Sequence, residues 1–155
     1  TGNIDVYGNV RIYQSTQGDG KCRYALADVD LGYFSWQTYA DVGFKTIGAF
    51  HGIIPKAMMK NAAFRARFLS RLGELLRTTL SDENMAANIA SIAAILEDEV
   101  PRDLERWWQS SGRFKRQLSN LNNYVDGRVA VMVSDAVDYF NMTDEEVALY
   151  FDGLT

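Results

Sequence analysis

Apolar residues recur every three or four positions from residue 53 to the end of the chain, which is the spacing of one face of an α-helix. Pro55 suits a first helical turn, Ser81 suits an N-cap, and Pro101 interrupts the pattern. Asp126-Gly127 marks a further break, and Thr143 followed by Glu146 has the spacing of a capping box. Residues 53–155 are therefore predicted to form about five or six helices that pack through their apolar faces.

The alternating pattern of a β-strand is clear only near the start of the chain. Polar and apolar side chains alternate over residues 10–14 and again over residues 22–26. Gln17-Gly18-Asp19-Gly20 between them supplies turn residues, so the segment is predicted to be an antiparallel hairpin. Cys22 is expected to be a buried or half-buried side chain of this hairpin rather than a nucleophile.

Composition limits the organisation of the chain. With 155 residues, of which 47% are hydrophobic, it can bury the core of a single domain spanning residues 1–155. We divide that domain into a loop and hairpin over residues 1–34, an aromatic loop over residues 35–52 and a helical bundle over residues 53–155. A net charge of −4 does not favour nucleic acid as a partner, and no apolar run reaches the roughly 18 residues of a membrane span.

Two carboxylates follow the second predicted strand. Asp28 and Asp30 are two positions apart, so they point the same way if the extended backbone continues through Val29. Converging carboxylates suit a hard cation such as Mg²⁺, Mn²⁺ or Ca²⁺. The alternative is a solvated loop in which both side chains make local turn hydrogen bonds.

The loop before the hairpin carries Asp5 and Asn9. Because a hairpin brings its two ends together, we expect these side chains to lie close to Asp28. Kinase-type enzymes use such a set: an Asp accepts the proton of the attacking hydroxyl, an Asn binds metal, and a later Asp binds the metal at the phosphates. The spacing Asp5-x-x-x-Asn9 is one residue shorter than in protein kinases, and Val-Asp follows Asp28 where Phe-Gly is usual. An ordinary protein kinase is therefore excluded.

These residues resemble the spore coat protein H (CotH) family of atypical kinases. The first matching part runs from Asn3-x-Asp5-x-x-x-Asn9 through Ile12-Tyr13 and Gly20-Lys21 to the segment Tyr24-Ala25-Leu26-Ala27-Asp28-Val29-Asp30-Leu31-Gly32-Tyr33-Phe34, similar to the family's WDLDxxFG run. The second part, Asn61-Ala62-Ala63-Phe64-Arg65-Ala66-Arg67-Phe68-Leu69-Ser70-Arg71-Leu72, is similar to NxxFRxRFxxRY, and Pro101-Arg102-Asp103-x-x-Arg106-Trp107 follows it.

The resemblance implies a mainly α fold, the helical C-lobe of an atypical protein-kinase-like enzyme with one N-terminal hairpin. It implies transfer of the ATP γ-phosphate to serine or threonine of a protein, with ATP and Mg²⁺ or Mn²⁺ as cofactors. Asp5 would be the catalytic base, Asp28 a metal ligand and Asn9 a ligand of metal and nucleotide. Asp30 would ligate or orient the metal site. An extracytoplasmic location, on a spore, cell surface or secreted protein, is implied by the same resemblance.

The chain departs from the family pattern in two ways. Ala27 stands where the family often has Trp or Tyr, and Cys22-Arg23 stands where the family has a pair similar to Trp-Arg. The environment of the nucleotide is therefore expected to differ. The family domain also begins with a lobe that carries a lysine, and Lys21 beside the hairpin turn is a poor substitute. We therefore expect this chain to be part of a kinase domain and to be inactive or nearly so by itself.

Two other functions stay open. A nucleotide-sugar transferase could hold its metal with Asp28 and Asp30, although the strands for its usual nucleotide-binding sheet are not predicted. A non-catalytic helical interaction module or pseudokinase would use Asp5, Asn9 and Asp28 only for turn hydrogen bonds.

Three further features have a structural interpretation. His51, the only histidine, is expected to be packed or on the surface rather than catalytic. Of the adjacent Trp107 and Trp108, one is expected in the core and the other half exposed. A set of arginines opposite an apolar stripe is expected to be solvated, with a phosphate-binding surface as the alternative: Arg65, Arg67, Arg71 and Arg77.

Overall fold

The computed structural model describes residues 10–26, 53–110 and 112–154. Within these ranges two strands form one antiparallel hairpin, and seven helices follow it. The strands are β1 (Val10–Gln14) and β2 (Cys22–Leu26). The helices are α1 (Ile53–Met59), α2 (Ala62–Arg77), α3 (Asp82–Leu96), α4 (Val100–Arg106), α5 (Gly112–Val125), α6 (Arg128–Phe140) and α7 (Asp144–Phe151). The predicted mainly α fold with one N-terminal hairpin is confirmed, whereas the single-domain organisation stays a prediction.

Side-chain caps set where three of the helices begin. The Asn61 side chain accepts a hydrogen bond from the backbone of Phe64, and Ser81 does the same for α3. Thr143 and Glu146 form a complete capping box at α7. Each cap satisfies a backbone N–H that has no partner within its own helix. The predictions of a cap at Ser81 and of the capping box are both confirmed.

The larger core cluster joins α2, α6 and α7. Leu69 and Phe151 are fully buried at its centre, and Phe68 meets the ring of Phe140 edge-on at 5.6 Å between centroids. The other buried members are Leu76, Val133, Ala136 and Phe140. The apolar stripe predicted opposite the four arginines therefore does face the core, with Leu69 and Leu76 its most buried leucines.

A second, smaller cluster joins α3 to α5. Met85 near the start of α3 packs with Tyr124 and Val125 at the end of α5. At the opposite end of the pair, Leu96 and Phe114 line one groove. The two helices therefore run antiparallel.

A carboxylate of α3 caps a different helix. Asp82 Oδ1 accepts a hydrogen bond from the backbone N–H of Val129, at 2.9 Å. Gly127, in the N-cap position of α6, has a φ of 71° and no side chain to cap the helix itself. Asp82, from another helix, therefore supplies the capping oxygen that Gly127 cannot provide.

Among the described helices, none is long and apolar enough to cross a membrane.

Candidate catalytic hairpin

The hairpin has a regular register over its whole length. Val10 pairs with Leu26, Ile12 with Tyr24, and Gln14 with Cys22 at the turn end. The open end of the hairpin, where Val10 and Leu26 pair, is roughly 14 Å from the last pair, as four strand steps span about that length.

Local hydrogen bonds explain why the chain reverses at residues 15–21. Asp19 Oδ1 accepts a bond from the backbone of Lys21 at 3.1 Å, and Gln14 donates to the carbonyl of Gly20. Gly20 has a φ of +68°, which favours glycine. Asp19 also accepts a bond from Arg23 at 3.0 Å, with Lys21 Nζ 3.7 Å away. The carboxylate of Asp19 thus belongs to the turn, at the end of the hairpin away from the predicted site.

The predicted site residues Asp5, Asn9, Asp28 and Asp30 lie outside the described residues, as does His51. The structure does describe Val10 and Leu26, the paired residues next to the segments that carry Asn9 and Asp28. Residue 9 precedes Val10, residue 28 comes two positions after Leu26, and Val10 and Leu26 are partners in the sheet. The predicted hairpin is therefore confirmed, and the roles of the four residues stay predictions.

The described ranges contain no rival metal centre, since no three His, Cys, Asp or Glu side chains group there in a way that could hold an ion. Lys21 is 77% exposed beside the turn, with its Nζ atom 3.7 Å from the carboxylate of Asp19. The prediction that Cys22 is buried or half-buried is wrong, because its side chain is exposed at the last pair before the turn.

Residues 61–72, the second segment that resembles the family, stabilise the described fold. Asn61 caps α2, and Leu69 is fully buried in the core. Arg65 donates two hydrogen bonds to Glu146 of α7, from Nε to Oε1 at 3.1 Å and from Nη2 to Oε2 at 2.9 Å. This segment therefore helps to assemble the helical part.

The arginines of α2 were expected to be solvated, with a phosphate surface as the alternative. Arg71 pairs with Glu74 at 2.6 Å, and Arg77 donates to the carbonyl oxygens of Tyr150 and Asp152 at 2.9 Å each. Arg71 and Arg77 are nevertheless exposed, as expected, whereas Arg65 is partly buried in its ion pair with Glu146. Arg67 is exposed and lines a surface groove between α1 and α2. The phosphate-surface alternative therefore gains no support.

The described hairpin and the helices that follow it agree with the kinase-like fold that the resemblance implies. The family model described as CotH kinase protein matches residues 1–132. The chain belongs to this family, and the match includes Asp5, Asn9, Asp28 and Asp30 as well as the hairpin and α1 to α5. No curated protein and no solved structure matches the chain.

Proposed function

We propose that this chain is the helical lobe, with catalytic loop and hairpin, of a CotH-type kinase that transfers the γ-phosphate of ATP to serine or threonine of a protein. The observation that carries the proposal is the register of the hairpin within the family match. Pairing of Val10 with Leu26 means that the segments carrying Asn9 and Asp28 leave the hairpin at the same end.

Covalent geometry limits how far those two residues can separate. The Cα atom of Asn9 lies about 3.8 Å from that of Val10, and the Cα atom of Asp28 lies within about 7.6 Å of that of Leu26. The paired Cα atoms of an antiparallel ladder are themselves about 5 Å apart. The two Cα atoms are therefore at most about 16 Å apart, and we propose that Asn9 and Asp28 share one site, with Asp5 and Asp30 beside it.

The chemistry of the residues suits phosphoryl transfer. In the proposed reaction the substrate hydroxyl oxygen bonds to the γ-phosphorus as the bond to the β–γ bridging oxygen breaks and ADP leaves. Asp5 would accept the hydroxyl proton and orient the oxygen for attack. Asp28 and Asn9 would hold Mg²⁺ or Mn²⁺, whose preferred ligands are such oxygens. Asp30 would either ligate the metal or orient the residues that do. The bound metal supplies charge neutralisation at the phosphates.

The proposed partners are ATP and a protein substrate, and the proposed location is extracytoplasmic, as the family resemblance implies. Nucleic acid is not proposed as a partner because the chain has a net charge of −4.

The test is transfer of labelled phosphate from ATP, with Mg²⁺ or Mn²⁺, by the natural gene product that carries this sequence. We expect labelled serine or threonine, no labelling by Asp28→Ala, and a severe loss with Asp5→Ala. Asp19→Asn is the matched control: it removes a negative charge from the same hairpin at the turn end, keeps the side-chain oxygen that accepts the bond from Lys21, and loses only exposed ion pairs that contribute little stability.

Absence of labelling in every protein, with all of them folded and none protected by ATP and metal against thermal unfolding, would overturn the proposal in favour of a non-catalytic helical module. Protection by a UDP-sugar but not by ATP would overturn it in favour of a nucleotide-sugar transferase. Equal labelling by wild type and Asp28→Ala would refute the assignment of Asp28.

A further inference from the structure

Helix α3 is unusual among the described helices because it has no charged residue from Asn84 to Leu96. A helix of globular protein that lacks a charged face is normally buried on all sides. One side of α3 does pack on α5 through Met85 and Ile89. Near its C-terminal end, however, Ile92 is 59% exposed, Ile95 74% and Leu96 46%.

Ile92 and Leu96 border an apolar groove between α3 and α5. Its volume is about 390 Å³, and the wall from α3 includes Ile92 and Leu96. The wall from α5 consists of Phe114, Gln117, Leu118 and Leu121. Two antiparallel helices with an open apolar face between them form half of a four-helix bundle.

The charges around this face differ between its two sides. Glu97, Asp98 and Glu99 follow directly on α3 and are exposed, and Glu99 pairs with Arg102 of its own chain at 3.0 Å. At the same end of the pair, the first turns of α5 carry Arg113, Lys115 and Arg116, also exposed, and α5 has no acidic residue. Cations at the start of a helix are disfavoured by its own dipole, so an external negative charge there would be stabilising.

We propose that the α3–α5 face, defined by Ile92, Ile95, Leu96 and the groove beside them, binds the same face of a second copy of this chain. The two copies would form a four-helix bundle around a two-fold axis parallel to the helices. That axis places the acidic turn after α3 of each copy over the basic start of α5 of its partner. The contact would be isologous, apolar at the centre and charge-complementary at one end.

The charge pattern distinguishes this axis from the other way of stacking the two faces. A two-fold axis across the helices would lay each α3 on its counterpart in reverse. The acidic residues 97–99 of one copy would then meet Asp82 and Glu83 at the start of α3 in the other. Like charges in contact oppose association, so the parallel axis is favoured.

The first test is the oligomeric state of the natural gene product, measured by sedimentation equilibrium over a range of concentrations. We expect a reversible dimer. Ile92→Glu and Ile95→Glu should each raise the dissociation constant about a hundredfold, since each places an unpaired carboxylate in an apolar interface. Leu149→Glu, the same type of change at a leucine of α7 that is 69% exposed, should leave the dimer intact.

Circular dichroism measures the helix content of each variant and so separates lost association from lost folding. We expect every variant to fold, because the substituted side chains are already exposed. A wild-type protein that stays monomeric at all concentrations would overturn the proposal and indicate that another part of the polypeptide, or a different protein, covers the face. A dimer weakened equally by Leu149→Glu and Ile92→Glu would also overturn it.

A charge exchange tests the axis. One variant carries Arg113→Glu with Arg116→Glu, and the other carries Glu97→Lys with Asp98→Lys. Each alone should dimerise more weakly than wild type, whereas an equal mixture should form the heterodimer, because acidic and basic sites again face one another. Failure of the mixture to associate, with both variants folded, would contradict the proposed axis.

Discussion

Arg65 and Glu146 are 81 positions apart in sequence, and their side chains join α2 to α7 by two parallel hydrogen bonds of 3.1 and 2.9 Å. Both side chains are partly shielded, at 22% and 30% exposure. Glu146 Oε2 also accepts the backbone N–H of Thr143, at 3.2 Å, so one carboxylate completes a capping box and an inter-helix ion pair. Arg65 in turn lies over the ring of Phe140, 5.9 Å from its centroid.

Replacing Glu146 by Gln should therefore destabilise the helical part. We expect the free energy of unfolding to fall by about 1–2 kcal/mol, since a charge-assisted, partly buried pair is worth more than an exposed one. Chemical denaturation of wild type and Glu146→Gln measures the difference. Glu145→Gln is the control, because Glu145 is exposed and has no ion pair to α2; an equal loss in both variants would contradict the role of Arg65.

The same pair predicts a dependence on pH. The hydrogen bond from Arg65 is the main cause that lowers the pKa of Glu146 below its ordinary value of 4.5, with the backbone of Thr143 adding to it and burial opposing it. A lowered pKa in the folded state means that the stabilisation is present above pH 4.5 and is lost as the pH falls through the folded-state pKa. The difference in unfolding free energy between wild type and Glu146→Gln should therefore shrink below that pH.

Asp82 provides a second long-range test. Its carboxylate caps α6 through Val129, so Asp82→Ala should lower the free energy of unfolding by about 1–2 kcal/mol. Glu83→Ala removes a neighbouring acidic residue from the same first turn of α3 and controls for the loss of a favourable dipole interaction. Thermal unfolding at neutral pH would show the difference, and a loss from Glu83→Ala as large as that from Asp82→Ala would argue against the cap.

Gly73 tests the close approach of α2 to α7. A Cβ atom at this buried position would overlap the carbonyl oxygen of Tyr150, an oxygen that also accepts a bond from Arg77. Gly73→Ala should cost about 3 kcal/mol, because the backbone of α7 would have to move. Gly112→Ala, where the same Cβ meets nothing within 4 Å, should instead stabilise α5 by about 0.5 kcal/mol. Denaturant unfolding that ranks the two substitutions in the opposite order would refute this packing.

Features encoded by a few neighbouring residues could be predicted from the sequence. The hairpin follows from alternation on both sides of a turn that contains Gly20, and the capping box follows from the spacing of Thr143 and Glu146. The break at Gly127 likewise matches its positive φ. In each case the interacting groups lie within a few positions of one another, so a local pattern contains the whole interaction.

Interactions between distant parts of the chain could not be predicted in this way. Arg65 was expected to be solvated because it lies opposite an apolar stripe, and nothing local indicates that Glu146 lies beside it. The expectation that one of Trp107 and Trp108 is in the core is wrong: they are 60% and 95% exposed, and Trp108 has a φ of 51° just after α4 ends. Periodicity assigns faces within a helix, and this pair lies where the helix has already stopped.

The candidate site stays a prediction that rests on residue types and their order. Oxygen ligands on both sides of a hairpin indicate a metal and phosphate chemistry, and the family match over residues 1–132 agrees with that class. Which of Asp28, Asn9 and Asp30 ligates the metal depends on side-chain geometry, which spacing alone does not specify.

The most direct test of the proposed metal site is therefore Mn²⁺ binding in the presence of ATP by the natural gene product, followed by electron paramagnetic resonance of the free ion. We predict that wild type and Asp19→Asn bind Mn²⁺ equally and that folded Asp28→Ala loses this binding. Undiminished binding by Asp28→Ala, or equal losses from the two substitutions, would contradict a metal site at the open end of the hairpin.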